Sequence, residues 1–161
     1  MTPAEELRYL ILAIQREGNR LYAADLRPLE LTPSQAEAIR VLADHQPLSM
    51  SGLGELLVCE TGDNPSRLVD RLVRVGLINR DPDPADRRHV TLTLTPAGVR
   101  LAREVATVEA RLHQTIENLI AGQPVEPTLA LLRTFANAFP AGQALARRQG
   151  RQGADDGTVQ Q

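Results

Sequence analysis

Residues 61–98 constrain the fold more than any other stretch of the chain. The stretch opens with a short arginine-bearing segment, Asn64 to Gly76. Asn64 predicts an N-cap, and Pro65 suits the first helical position, where a missing N–H costs nothing. Gly76 predicts the stop. Leu68, Leu72 and Val75 fall at i, i+4 and i+7 and make one apolar face. Arg67, Arg71 and Arg74 repeat the spacing, rotated by roughly 100°. Packing the apolar face inward turns the arginines outward, with Asp70 placed to pair with Arg74 at i+4. A strand, Leu77–Arg80, follows, then a charged segment from Asp81 to His89 and the alternating strand Val90–Thr95. A helix with a basic face followed by a basic-tipped hairpin predicts a winged helix-turn-helix. Its helix suits a major groove, and its wing suits the neighbouring backbone or minor groove.

The remaining pattern supports that order. Leu7, Leu10, Ile11, Ile14 and Leu21 predict a helix over residues 5–25. Thr32 caps a second helix with Pro33 at its first position, predicted to run to His45 with Ala36, Ile39, Val41 and Leu42 inward. Residues 49–58 predict a third helix, weakened by Gly52 and Gly54. After the hairpin, Leu101, Val105, Val108, Leu112, Ile116 and Leu119 form a near-heptad seam on a helix over residues 96–121. Gly122-Gln123-Pro124 breaks it. Leu129, Leu132, Ala136 and Phe139 mark a last helix, which Pro140 either ends or kinks before it resumes over residues 143–148. The Gly-, Gln- and Asp-rich residues 149–161 predict a disordered tail.

The expected architecture is therefore mainly α with a small β-hairpin wing. It divides into an N-terminal helix at 1–30, a winged helix-turn-helix at 31–98, C-terminal helices at 99–148 and a tail. The amphipathic terminal helices lie outside the reading head, and pairing with a second copy is the economical way to cover them. Packing on their own domain is the alternative.

Charge distribution agrees with a nucleic-acid partner despite a formal net charge of −2. Residues 1–60 carry five Arg against nine acids, residues 61–103 eight against five, and residues 104–161 five against six. The positive part coincides with the predicted reading head, and binding responds to the local patch more than to the total. All 18 basic residues are arginine, which reads as genomic base-composition bias, although arginine also suits bidentate contacts with guanine and phosphate.

The order and the residues together resemble the MarR family of transcriptional regulators. The strongest part is Asp83-Pro84-Ala85-Asp86-Arg87-Arg88-His89 followed by Val90-Thr91-Leu92-Thr93-Leu94-Thr95-Pro96-Ala97-Gly98, similar to the family's wing signature. Leu31-Thr32-Pro33-Ser34-Gln35, Ser66-Arg67-Leu68-Val69-Asp70-Arg71-Leu72 and Gly76-Leu77-Ile78-Asn79-Arg80 support it. The resemblance implies a homodimer with interlocked terminal helices and a pseudo-palindromic operator in double-stranded DNA. It also implies a small anionic or phenolic effector bound between the dimer helices and the reading head. Arg88 matches the family's wing-tip arginine. Asp63 and Pro65 depart from the family pattern, so no operator sequence follows from the resemblance.

The expected DNA-contacting residues are Thr61, Asp63, Asn64, Pro65, Ser66, Arg67, Arg71, Arg74, Arg87 and Arg88. Thr61, Asp63, Asn64 and Arg67 are placed to meet base edges, and Arg87 and Arg88 to meet phosphate or a narrow minor groove. Enzyme chemistry has no anchor: no Gly-rich phosphate loop or nucleophile elbow is present, and nothing gathers Ser, His and Asp. His45, His89 and His113 are far apart and the chain has one cysteine, so neither a metal set, a cofactor nor a disulfide is expected. That cysteine, Cys59, precedes the arginine helix and is either a redox switch or a small buried residue. No apolar run is long enough for a membrane span, and a cytoplasmic location is expected. A winged-helix protein–protein module without a specific DNA site is the reading from another class.

Overall fold

The computed structural model describes residues 1–59, 64–82 and 89–156, with backbone alone from 151. Helix α1 spans Pro3–Leu26, followed by a 3-10 turn at Arg27–Leu29 and helix α2 at Pro33–His45. Strand β1 is Leu48–Ser49 and helix α3 is Met50–Gly54. Helix α4 is Pro65–Arg74, strands β2 and β3 are Ile78–Pro82 and Val90–Leu94, and helices α5, α6 and α7 are Pro96–Ile120, Val125–Ala136 and Pro140–Asp156.

Local chemistry sets several of these bounds. Thr2 and Thr32 each form a reciprocal capping box, Thr2 with Glu5 and Thr32 with Gln35, and each precedes a proline at the first helical position. That satisfies N–H groups a helix start otherwise leaves orphaned. The 65–74 helix begins as expected: the Asn64 side chain accepts from the Ser66 amide at 3.0 Å. At its end Gly76 takes φ 75°, the Gly76 amide donates to Val73 and the Leu77 amide to Leu72 at 2.9 Å. This is a Schellman stop, for which glycine has the least strained backbone.

The three strands form one antiparallel sheet in the order β1-β3-β2. Its main ladder runs from Ile78 opposite Leu94 to Pro82 opposite Val90. The core lies between α2, α3, α4, the sheet and the first half of α5; Leu26, Ile39, Leu42, Leu53, Leu56, Leu72 and Leu92 are fully buried in it.

Four expectations need correction. Residues 49–58 do not form one helix. Leu48 and Ser49 pair with Leu92 and Thr91, and the Ser49 side chain then caps a helix that ends at Gly54. Two glycines and a competing strand edge explain its shortness. Val75 is 65% exposed and is not on the buried face of α4, because the helix stops at Arg74 and turns away through Gly76; Val69 takes the inward position. Asp70 pairs with Arg80 rather than Arg74 (2.8 Å), since β2 returns beside the helix. The helix that begins at Pro140 continues through Asp156, so residues 149–156 of the expected tail are helical, and its residues 157–161 lie outside the described residues.

The near-heptad seam divides. Val105 and Val108 are buried against the chain's own reading head, whereas Ile116 and Leu119 are 44% and 77% exposed. Tyr9, Leu10, Ile14, Leu129, Leu131, Phe135 and Phe139 are exposed on α1, α6 and the turn into α7. Packing on the chain's own domain thus applies to the first half of α5, while the apolar residues beyond it and on α1 and α6 are exposed on the single chain.

Candidate nucleic-acid interface

Helix α4 is built to show one face and bury the other. Leu68, Val69 and Leu72 sit in the core, while Arg67, Asp70, Arg71 and Arg74 are exposed. Asn64 is exposed at the N-terminus, with Pro65 and Ser66 half-buried. The amino-terminal end of such a helix carries unsatisfied N–H groups and a partial positive charge, both favourable to phosphate. Thr61 and Asp63 lie outside the described residues, as do Arg87 and Arg88 beyond the Pro82–Val90 end of the ladder. The described structure therefore brings Asn64, Pro65, Ser66, Arg67, Arg71 and Arg74 together on one element.

The helix and hairpin are tied as a unit. Arg80 on β2 reaches Asp70 on α4. Thr95 joins the end of the hairpin to the turn after α4: its amide donates to the Leu77 carbonyl at 3.1 Å and its hydroxyl to the Gly76 carbonyl at 2.7 Å. The same hydroxyl accepts from the Gly98 amide at 3.0 Å and caps α5. Gly98 lies so close to Leu77 that an added Cβ would collide with the Leu77 carbonyl oxygen. The run Leu94-Thr95-Pro96-Ala97-Gly98 is thus a clamp, in which a buried leucine, a capping threonine and a side-chain-free glycine fix the wing against the recognition helix.

Behind this face, α2 is held to the long helices by a polar cluster. Glu109 on α5 accepts from the Tyr22 hydroxyl and from Arg40 Nε, each at 3.1 Å, and Arg40 also pairs with Asp44. Burial, reinforced by the Glu109 carboxylate, holds the Tyr22 phenol above its usual range.

Cys59 is half-buried, and its thiol is pushed up to about 11, first by burial and then by the neighbouring Glu37 carboxylate. The thiolate is the reactive form, and these surroundings suppress it. Sequence reasoning passed over Glu37, which is 7% exposed and accepts the Val58 and Cys59 amides at 2.8 and 2.9 Å. Its position between the buried Ala36 and Ala38 is the signal: an acid inside an apolar run needs partners.

A cleft of about 660 Å³ opens between α1, the start of α2 and the segment before α4. Arg16, Asn19, Arg20, Ser34, Val58 and Cys59 line it. Among the described residues no group of three or more His, Cys, Asp and Glu side chains is arranged to hold a metal. Among them, too, no helix is long and apolar enough to cross a membrane.

Comparison with known proteins agrees with this geometry. Residues 31–90 match the MarR family. The organic hydroperoxide resistance transcriptional regulator of Bacillus subtilis is 29% identical over 103 residues, 64% of this chain and 69% of that protein. An uncharacterized HTH-type transcriptional regulator of the same organism, YsmB, is 31% identical over 105 residues, 64% of this chain and 67% of that protein. The crystal structure of a MarR mutant from E. coli complexed with operator DNA is similar at a TM-score of 0.72 and 27% identity, covering 81% of this chain and 93% of that one.

Proposed function

The chain belongs to the MarR family of DNA-binding transcriptional regulators, and from that premise we propose a homodimeric repressor of a pseudo-palindromic operator, released by a small anionic or phenolic ligand. The observation that carries this reading is the division of α4 into a buried Leu68–Val69–Leu72 face and an exposed arginine face, on a helix pinned to the hairpin by Asp70–Arg80. Residues 31–98 form the reading head. Asn64, Ser66 and Arg67, with Thr61 and Asp63 before them, meet base edges from the helix start. Arg71, Arg74, Arg87 and Arg88 meet phosphate or a narrow minor groove. Pro65 stiffens the entry.

Dimerisation uses residues 1–30 and 99–148. The support is the exposed apolar surface of α1, the end of α5 and α6, including a groove of about 440 Å³ lined by Ile11, Ile14, Leu132, Phe135 and Phe139. Contiguous exposed apolar surface rimmed by polar residues is characteristic of interaction sites, which supports this assignment. The ligand occupies the cleft carrying Arg16 and Arg20, whose guanidinium groups suit a carboxylate or phenolate. It would press on Val58 and Cys59, the residues leading into the recognition helix. Cys59 is better read as a packing residue than as a redox switch, because its environment favours the thiol.

The test is selection of bound sequences from random DNA by the full-length protein. The expected product is an inverted repeat with half-sites about one helical turn apart, roughly 10–10.5 bp. A pool with no enriched sequence would leave the fold as a protein–protein module and remove this reading.

A further inference from the structure

Glu37 links two parts of the molecule that the sequence keeps far apart. Its Oε1 accepts both the Val58 amide and Arg148 Nη1 on α7, each at 2.8 Å, and its Oε2 accepts the Cys59 amide. Next to it Arg147 donates to the Glu55 carbonyl at 3.4 Å, and Ala144, 4% exposed, seats α7 against the domain. An ionised carboxylate out of water is costly unless charged and hydrogen-bonding partners offset the lost hydration. Here the offset comes partly from the C-terminal helix and partly from the backbone leading into α4.

The described part of that backbone, residues 55–59, forms neither helix nor strand. Helix α3 ends at Gly54, and the Leu56 amide closes its last turn on Leu53. Val58 and Cys59 are the last described residues before Asn64, where α4 starts. Their two amides are fixed by one side chain, and that side chain is neutralised by Arg148. The hydrophobic core, by contrast, is closed by Leu53, Leu56, Leu68 and Leu72 without help from this pair.

We propose that Glu37 and Arg148 are positioning residues for the recognition helix: they clamp the Val58–Cys59 segment and make operator affinity depend on the C-terminal helix being docked against the reading head. This rests on the DNA-binding reading above. The clamp acts on the same two residues that line the Arg16–Arg20 cleft, so a ligand there and a displaced α7 alter one element. Arg148 keeps 24% of its side-chain surface exposed, so water reaches Glu37 once the guanidinium is gone and the domain stays folded.

The experiment titrates full-length variants against DNA selected by the wild-type protein. Arg148→Gln is expected to bind about tenfold more weakly, the scale of an ordinary coupling between sites. Arg148→Lys, which restores the charge, should return close to wild-type affinity. The double variant Glu37→Gln/Arg148→Gln should bind no more weakly than the weaker single variant, because the two residues act as a unit. Amide exchange at Val58 and Cys59 should accelerate in Arg148→Gln, with the circular dichroism and light-scattering mass of the wild type.

Wild-type affinity in Arg148→Gln, or no recovery in Arg148→Lys, would overturn the proposal. So would unfolding of Arg148→Gln, which would make Arg148 a stability residue. A wild-type protein that selects no DNA removes the parent reading itself, whereas a wild type that binds alongside an equally competent Arg148→Gln removes the clamp alone.

Discussion

At the scale of single residues, environment decides chemistry. Cys59 is a thiol beside a carboxylate in partly apolar surroundings, and both effects favour the protonated form. Alkylation of the folded protein by iodoacetamide should therefore be slow at pH 8 and climb toward pH 11, the value to which the thiol is pushed. Stability follows the same window. The usual thiol loses its proton near 9.0, so between there and about 11 the folded state holds more protons than the unfolded one and loses stability as pH rises. Rapid alkylation at pH 8 would return Cys59 to the list of redox candidates. The arginines divide by position. In the proposed function Arg67, in the first turn of α4, makes a bidentate guanine contact, worth about 1–3 kcal/mol of discrimination. Arg67→Ala should relax preference at one position per half-site, and Arg88→Ala should weaken all sequences more evenly. A library of single-base operator variants checks both. Uniform loss from Arg67→Ala together with altered half-site preference from Arg88→Ala would reverse these roles.

At the scale of elements, the hairpin and the recognition helix are held by the exit clamp at Thr95 and Gly98. Gly98→Ala forces a Cβ onto the Leu77 carbonyl oxygen, which also accepts the Thr95 amide. Overpacking of this kind costs about 1–3 kcal/mol, so the denaturant midpoint should fall measurably. An unchanged midpoint would show that α5 shifts freely and that the clamp is not tight. Elements bounded by caps were the most legible in sequence. Thr32-Pro33 with Gln35 opened α2 where expected, and Asn64-Pro65 with Gly76 bounded α4. The two-residue strand at Leu48–Ser49 was not legible, because it is too short to show alternation and forms only through its ladder to β3. Asp70–Arg80 and Glu37–Arg148 were hidden for a related reason. Sequence spacing reveals i+4 neighbours, whereas these partners meet only after the chain has folded back.

At the scale of the whole molecule, the chain is a reading head with an unfinished apolar surface. Leu119 is 77% exposed and Phe135 48%, so replacing either with glutamate costs the single chain little. A dimer would lose roughly 1.5–3 kcal/mol per buried side chain and gain an unpaired charge. Leu119→Glu and Phe135→Glu should therefore shift light scattering toward the monomer while leaving the helical spectrum intact. An unchanged dimer in both would move the interface elsewhere. The central claim, that the arginine face of α4 and the wing bind DNA, is tested most directly by salt. If Arg67, Arg71, Arg74, Arg87 and Arg88 from two subunits neutralise phosphates, log affinity should fall linearly with log salt concentration, at about −0.9 per phosphate contact. The account predicts a steep slope that becomes shallower when one of the phosphate-facing arginines is replaced. A flat dependence would contradict it.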